Sequence, residues 1–468
     1  MNQQKQAILI ADLGFGDAGK GTITDFLTRR LAAHTVVRYN GGPQAAHNVV
    51  TPDGRHHTFS QFGSGMFLPW TSTLLSRFML INPLNMLKEE RHLNMLSVTN
   101  VFERTLIDRR ALVITPFHKA INRLRELARA DGRHGSCGEG IGECMADSLA
   151  HDDAQIFAGD LQDRSLITNK LRCLCERKRS ELDELCPYLP DTEAVKQELA
   201  VFAGTDVITD CTDVYRYFSE HVTFVDDAQI YQLLAQPGTV LFEGAQGVLL
   251  DENYGFAPYT TWSTTTFANA ETILHEHDYT GDIIKLGVVR SYATRHGVGP
   301  FPSEDPSLTA ALPDRHNHWN DWQRSFRVGY FDLVATRYAR DVIGHLDYLA
   351  LTHLDRLSAM PYPQICTAYH YQGSPDDLPA YFEHMADRLG SIIVRSPADL
   401  THQEQLTNRL WSCQPLYQPF DRSLSSKFHL AYLKLLETEL GVPMAIASYG
   451  PAATDKVCLR DMKSFCSI

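Results

Sequence analysis

Residues 7–21 read Ala7-Ile8-Leu9-Ile10-Ala11-Asp12-Leu13-Gly14-Phe15-Gly16-Asp17-Ala18-Gly19-Lys20-Gly21, and the reading of this stretch decides the fold class. The fully apolar run Ala7–Ile10 predicts a short buried strand. It opens into a glycine-rich loop, after which Ile23, Phe26, Leu27 and Leu31 fall at helical spacing. The β-branched run Thr35–Arg38, closed by Asn40-Gly41-Gly42, predicts a second strand. Strand, glycine loop, helix and strand make the start of a βαβ unit. The expected class is therefore α/β, with a large, mostly parallel central sheet flanked by helices.

The loop Gly14–Lys20 fits G-x-x-x-x-G-K between a strand and a helix. Backbone N–H groups at a helix N-terminus attract phosphate, and Lys20 adds a point charge, so Gly16, Gly19, Lys20 and Gly21 are candidate phosphate contacts. The alternative is a glycine-rich turn carrying a solvated lysine. Gly21 is unusual, because an ordinary loop of this kind has a Ser or Thr there to bind Mg²⁺. Asp17 is unusual too, since it places a carboxylate beside the phosphates. Such a group suits a metal ligand or a base next to the γ-phosphate.

Further buried strands are expected at Thr239–Phe242, Ile283–Val289, Leu349–Thr352, Ile365–Ala368 and Met444–Ala447. Four of them run into the loops EGAQG, SYATRHGVGP, THLD and SYGP. In open α/β sheets ligands sit beyond the carboxyl ends of the strands, which puts the site in these loops. Residues 145–235, rich in charge and helix formers, predict a helical insertion, and 371–440 a second, less regular helical segment. The whole of 1–468 is expected to be one α/β domain with these insertions.

The 468 residues carry 43 Lys+Arg against 56 Asp+Glu, a net charge of −13, and 44% are hydrophobic. An acidic exterior argues against nucleic acid as a partner. No apolar run is long enough to span a membrane, and the N-terminus lacks a leader pattern. Ten cysteines without paired spacing fit reduced thiols in the cytoplasm. His275-Glu276-His277 and His316-Asn317-His318 have the wrong spacing for a shared metal and are expected to be solvated. Cys173, Cys175 and Cys186 are expected as helix or core thiols. Trp70, Trp262, Trp319 and Trp411 are expected in the core, and Trp322 as a possible site residue.

GDAGKG (16–21) followed by RYNGGPQAAHNVV (38–50) resembles the adenylosuccinate synthetase family, whose members read GDEGKGK and RYxGGxNAGHT. GSCGEGIGE (135–143), FEGAQGVLLDENYGFAPYTT (242–261), YATRHGVGPFPSE (292–304), RVGYFD (327–332), THLD (352–355), ICTAYHYQG (365–373) and SYGP (448–451) continue the resemblance in the same order. It implies a homodimer that couples GTP cleavage to the joining of L-aspartate to C6 of IMP, with Mg²⁺ as cofactor. On this resemblance Asp17 is the base for the purine N1–H. Lys20, His47 and Mg²⁺ are the cations at the γ-phosphate, and Asp17 and the Ala46 carbonyl hold the metal. Asp355 pairs with guanine, His353 stands where the family usually has Lys, and Ser448, Gly450 and Pro451 form the guanine wall.

The resemblance assigns Gln44, Cys137, His151, Gln246 and Thr261 to the acceptor nucleotide, and Arg295, Arg324 and Arg327 to aspartate. The chain departs from the pattern at Ala18, Gln44, Ala46, Asn48, Cys137 and His151, and most in the loop 320–327. Two other readings stay open: the same chemistry on another acceptor such as dGMP, for which Ala18 in place of Glu could make room, or a GTP-binding regulator that has lost ligation.

Overall fold

The computed structural model describes residues 5–460 except 134, 151–154, 205, 315, 316, 318, 320, 375–377, 386, 387 and 421–427. Its centre is a ten-stranded sheet. In chain order the strands are β1 (Gln6–Asp12), β2 (Thr35–Arg38), β3 (Ser72–Leu75), β4 (Thr105–Asp108), β5 (Thr223–Val225), β6 (Thr239–Glu243), β7 (Asp282–Arg290), β8 (Tyr348–Thr352), β9 (Met444–Ser448) and β10 (Lys456–Cys458). Across the sheet they lie in the order β10-β9-β8-β7-β1-β6-β2-β3-β4-β5. All neighbours pair in parallel except the edge pair β9–β10. β1 lies in the middle, with Leu9 level with Phe242 on one side and Lys285 on the other.

The reason β1 reads as apolar throughout is that both its faces are covered. Ile8 and Ile10 pack with Leu286, Val288, Ile446 and, on the first helix, Ile23 and Leu27. Ala7, Leu9 and Ala11 pack on the opposite side with Phe242, Leu349 and Leu351. That first helix, α1 (Lys20–Leu31), starts directly after Gly19, whose φ of 92° requires glycine.

Between β4 and β5 the chain forms the helices Pro116–Ala128, Ile141–Ala150, Arg164–Leu185, Glu193–Ala203 and Asp206–Ser219. They close around Phe117, Ile121, Leu171, Leu174, Phe202 and Tyr215, in a cluster that also takes in Ile107 of β4. The expected helical insertion differs in one respect: Thr223–Val225 rejoins the central sheet as its edge strand. Three residues are too few for a two-residue alternation to register.

The segment 371–440 departs further from expectation, because it holds three strands as well as helices. Strands Phe382–Met385, Arg388–Ile392 and Cys413–Pro419 join Gln364–Tyr371 in a smaller sheet, with helices Leu400–Leu410 and Phe428–Leu440 alongside. The hairpin skips Gly390, with Glu383 opposite Ser391 and His384 opposite Leu389. Such a bulge lets Leu389 and Ile392, three apart, both be buried, which imitates helical spacing in an extended chain.

Smaller expectations also need correction. Trp70, Trp262, Trp319 and Trp411 are all exposed. His275 is exposed, but His277 is buried, its Nδ1 2.8 Å from Ile273 O. His316 and His318 lie outside the described residues. Every described cysteine is free; Cys173 and Cys186 are exposed and Cys175 is buried. Among the described residues no helix is long and apolar enough to cross a membrane.

Candidate active site

The carboxyl ends of β1, β6, β7, β8 and β9 open onto one cavity of about 1380 Å³. Its floor is the glycine loop. Asp12, the last residue of β1, accepts hydrogen bonds from Gly14 N (2.8 Å) and Ala18 N (2.9 Å), which curls the loop around its carboxylate. The same carboxylate accepts from Lys20 Nζ at 3.0 Å, and Lys20 also donates to Gln246 O at 2.6 Å. Lys20 is thus buried, paired and tied to the loop after β6. Neither Asp12 nor Glu243 was among the expected site residues. The signal for both was an acid closing an apolar strand, as in ILIAD and VLFE.

The anomaly at Gly21 has a steric cause. A Cβ on Gly21 would lie 2.7 Å from His47 Cβ and 3.0 Å from Ser64 Oγ. The space an ordinary phosphate loop gives to a Ser or Thr is here filled by His47.

His47 is held by Glu243 at the end of β6, with Nδ1 2.7 Å from Oε1. Glu243 also accepts from Ser64 N at 2.9 Å and from Ser64 Oγ. Burial pushes the His47 ring down to about 4 against the pull of Glu243. Burial pushes Glu243 the other way, but His47 and the buried Arg38 outweigh it and hold the carboxyl at about 2. Glu243 is therefore ionised and His47 neutral near pH 7, with the ring proton on Nδ1, because a carboxylate only accepts. In the protein without nucleotide desolvation outweighs the carboxylate.

Asp17 adopts a left-handed backbone (φ 59°), uncommon for a residue with a Cβ, and lines the cavity. Burial raises its carboxyl above the usual aspartate range, against the opposing pull of His296, Lys20 and Arg290. His296 Nε2 lies 3.7 Å from Asp17 Oδ2 and 3.2 Å from Asn317 Oδ1. Arg290 donates to the Asp17 carbonyl at 3.2 Å and to Asp314 at 3.1 Å.

Gly16, Asp17, Gly19, Lys20, Gly21, Gln44, Ala46 and His47 all line the cavity. So do Cys137, Gln246, Thr261 and Arg295, and at the far end His353, Asp355, Ser448, Gly450 and Pro451. Several present buried polar atoms with no partner among the described residues: both amide atoms of Gln44, Gln246 Oε1, Arg295 Nη2 and His296 Nδ1. Buried orphan groups of this kind point to a ligand that completes them. Thr352 ties the far end to the loop, its hydroxyl donating to Ala18 O at 2.6 Å and lying 2.9 Å from His353 Nδ1. Burial and then Arg290 hold His353 neutral, well below the ordinary histidine range.

Other expected residues lie elsewhere. Arg327 is held by Gly297 O (2.9 Å), Gly299 O (2.9 Å) and Glu304 (2.7 Å), and does not line the cavity. Arg324 does not line it either. Arg295 keeps its place there, stacked 4.2 Å above the Phe15 ring. Trp322 packs against Gly138 and under Arg123, 4.9 Å away, while the exposed Trp262 and Trp319 line the cavity instead. Ala18 is buried against the sheet, outside the cavity, so its small side chain opens no space there. His151 is outside the described residues.

A phosphate-type loop at the carboxyl edge of a parallel sheet, with a carboxylate inside the loop and an oriented imidazole above it, defines a nucleotide-dependent α/β enzyme. A family model described as adenylosuccinate synthetase matches residues 9–457. The adenylosuccinate synthetase of Streptococcus gordonii is 33% identical over 387 residues, 81% of this chain and 84% of its own. That of Synechocystis sp. is 32% identical over 461 residues, 97% and 95% of the two chains. The solved structure of fully ligated adenylosuccinate synthetase from Plasmodium falciparum matches with a TM-score of 0.75 at 21% identity, over 98% of this chain and 100% of that one. Cyanophage S-2L succinoaminodeoxyadenylate synthetase, bound to dGMP and to dATP as an energy donor, matches at 0.59 and 15% identity, over 97% and 96%. At these identities the two solved structures share the fold. The chain belongs to the adenylosuccinate synthetase family and is a GTP-dependent carbon–nitrogen ligase.

Proposed function

We propose that the protein joins L-aspartate to C6 of a 6-oxopurine nucleotide, IMP, in two steps at this cavity. The observation that carries the reading is the meeting of Asp17, Lys20 and the His47–Glu243 pair beside one loop, with Asp355, Ser448, Gly450 and Pro451 lining the same cavity. In the first step Asp17 takes the N1 proton as O6 attacks the γ-phosphorus of GTP, GDP leaves, and a 6-phosphoryl nucleotide forms. In the second the aspartate amine attacks C6 and phosphate departs. Burial of Asp17 favours the base role, since a carboxyl raised above the usual aspartate range accepts a proton more readily.

Lys20 and the loop N–H groups position the β- and γ-phosphates, and His47 Nε2, aimed by Glu243, meets the γ-phosphate and gains a proton as negative charge arrives. Asp355 accepts from guanine N1–H and N2–H, contacts adenine lacks, which favours GTP over ATP. Asp17 and the Ala46 carbonyl offer hard oxygens to the same space, a donor set that fits Mg²⁺. When bound, Mg²⁺ would neutralise charge on the phosphates. Gln44, Cys137, Gln246 and Thr261 face the acceptor, and Arg295 the aspartate carboxylates. Arg327, already paired with Gly297 O, Gly299 O and Glu304, is given no aspartate role in this reading. The working unit is proposed to be a homodimer.

The test is direct. Protein with GTP, Mg²⁺, L-aspartate and IMP or dGMP in turn should release phosphate and yield a product of adenylosuccinate mass with IMP. No turnover with either acceptor would refute the reading, and turnover confined to dGMP would move it to that acceptor. Asp17→Asn should keep GTP affinity and lose turnover by at least about 100-fold. A near-normal rate in that variant removes Asp17 from the base role.

A further inference from the structure

β9 ends at the cavity with Ser448, and the chain turns back through 449–455 into β10, so that Ser448 pairs with Lys456. The turn carries Gly450 and Pro451, which line the far end of the cavity. We propose that Lys456 is a positioning residue that holds this wall in the shape that receives the nucleotide base. The proposal rests on the functional reading above, in which a guanine nucleotide fills that end.

Lys456 is 7% exposed and reaches back under the turn. Its Nζ donates to Gly450 O at 2.8 Å and to Ala452 O at 2.8 Å. Pro451 O, between them, accepts from Thr22 Oγ1 at 2.6 Å. Each carbonyl from Gly450 to Ala452 is thus held by a side chain, two of them by one ammonium. Ser448 Oγ adds a bond to Gly450 O at 3.1 Å, and Ala452 N donates to Asp455 Oδ2 at 2.8 Å. There is no slack, since a Cβ on Gly450 would lie 2.6 Å from Asp455 Oδ2.

Thr22 stands in the first turn of α1, directly behind the phosphate loop. The clamp therefore fixes the base wall relative to the phosphate loop, and their separation is what a nucleoside triphosphate must match.

The charges acting on the ammonium are Asp455 in the turn, Asp25 on α1 and Asp355 after β8; Asp25 is itself paired with Arg29 at 2.9 Å. Burial brings the Lys456 ammonium down to about 8, against the pull of those three carboxylates. Hydrogen bonds from a charged donor are roughly twice as strong as neutral ones, so the clamp slackens as Lys456 loses its proton above that pH. The wall should grip best at neutral pH and loosen towards pH 9.

The experiment is calorimetric titration of the full-length protein with guanosine 5′-(β,γ-imido)triphosphate and Mg²⁺ at pH 7 and pH 9, for the native protein and Lys456→Met. At pH 7 the native protein should bind about 10-fold more tightly than the variant, the scale of losing two charge-assisted bonds partly replaced by water. By pH 9 the native affinity should approach that of the variant, whose own change stays below about two-fold. In turnover, the KM for GTP should rise with the kcat little changed, and Lys456→Arg should keep the pH 7 affinity and flatten the pH dependence. Equal affinity of native and Lys456→Met at pH 7, or an equal pH slope in both, overturns the proposal. So does a native affinity that is the same at both pH values, which requires no variant to fold. A native protein that does not bind the guanine analogue at either pH refutes the functional reading itself, and that outcome is distinct from the others.

Discussion

Glu243 and His47 stand 196 positions apart and meet at 2.7 Å, and the chemistry of the site depends on which proton the ring carries. Both oxygens of the Glu243 carboxylate accept, one from His47 and Ser64 Oγ, the other from Ser64 N. An amide cannot do this, because its NH₂ must face one of those donors. Glu243→Gln should therefore turn or re-tautomerise the ring and lower kcat about 10- to 100-fold, the usual scale for a group that orients a functional histidine. GTP affinity should stay near native, and a fall in affinity without a fall in kcat would contradict the role. The same change strips Arg38, fully buried beside Glu243, of its neighbouring carboxylate, so Tm should drop too. At this scale Asp17, Lys20 and His47 were legible from their motif blocks. The neutrality of His47 was not, since it follows from burial under residues distant in the chain.

The strand–loop–helix that opens the chain was the most readable element, because its apolar run, glycines and helical spacing are all local. What was not readable is why the helix begins with Lys20-Gly21 where a phosphate loop has Lys-Ser or Lys-Thr. Restoring that pattern with Gly21→Ser should be damaging, since the new Cβ would lie 2.7 Å from His47 Cβ. Overpacking of this kind costs about 1–3 kcal/mol, read as a lower urea midpoint at unchanged m-value. Turnover should fall with it as His47 is displaced. A stable, active Gly21→Ser protein would show that His47 moves freely. The strands between 382 and 419 form the opposite case, because the bulge at Gly390 breaks the alternation by which a strand is read.

For the molecule as a whole, Asp332 sits where the smaller sheet meets the central body. It closes a short strand paired with Gln364–Tyr371, caps the helix Leu333–Ile343 through Ala335 N, and accepts from Tyr369 OH at 2.8 Å. Burial raises its carboxyl to about 6, against the hydrogen bonds from Ala335 N and Tyr369 OH. The folded protein therefore binds this proton more tightly than the unfolded chain. The associated stability is present below about pH 4 and is lost as pH rises through about 6, to the extent of roughly 3 kcal/mol. Asp332→Asn keeps an oxygen for the cap and removes the buried charge. It should raise Tm at pH 8 and match native near pH 4, and a variant less stable than native at pH 8 would show that the charge itself is needed. The sequence by itself determined the class of sheet, the phosphate loop and the strand ends that bear the site, since these rest on periodicity and on residues adjacent in the chain. Only the tertiary structure decided that Arg327 is held by the 297–304 segment, that Gly21 yields its space to His47, and that Lys456 underlies the turn between the last two strands of the central sheet. Each of those depends on what a side chain meets after distant segments pack together, and burial and partner there outweigh residue type.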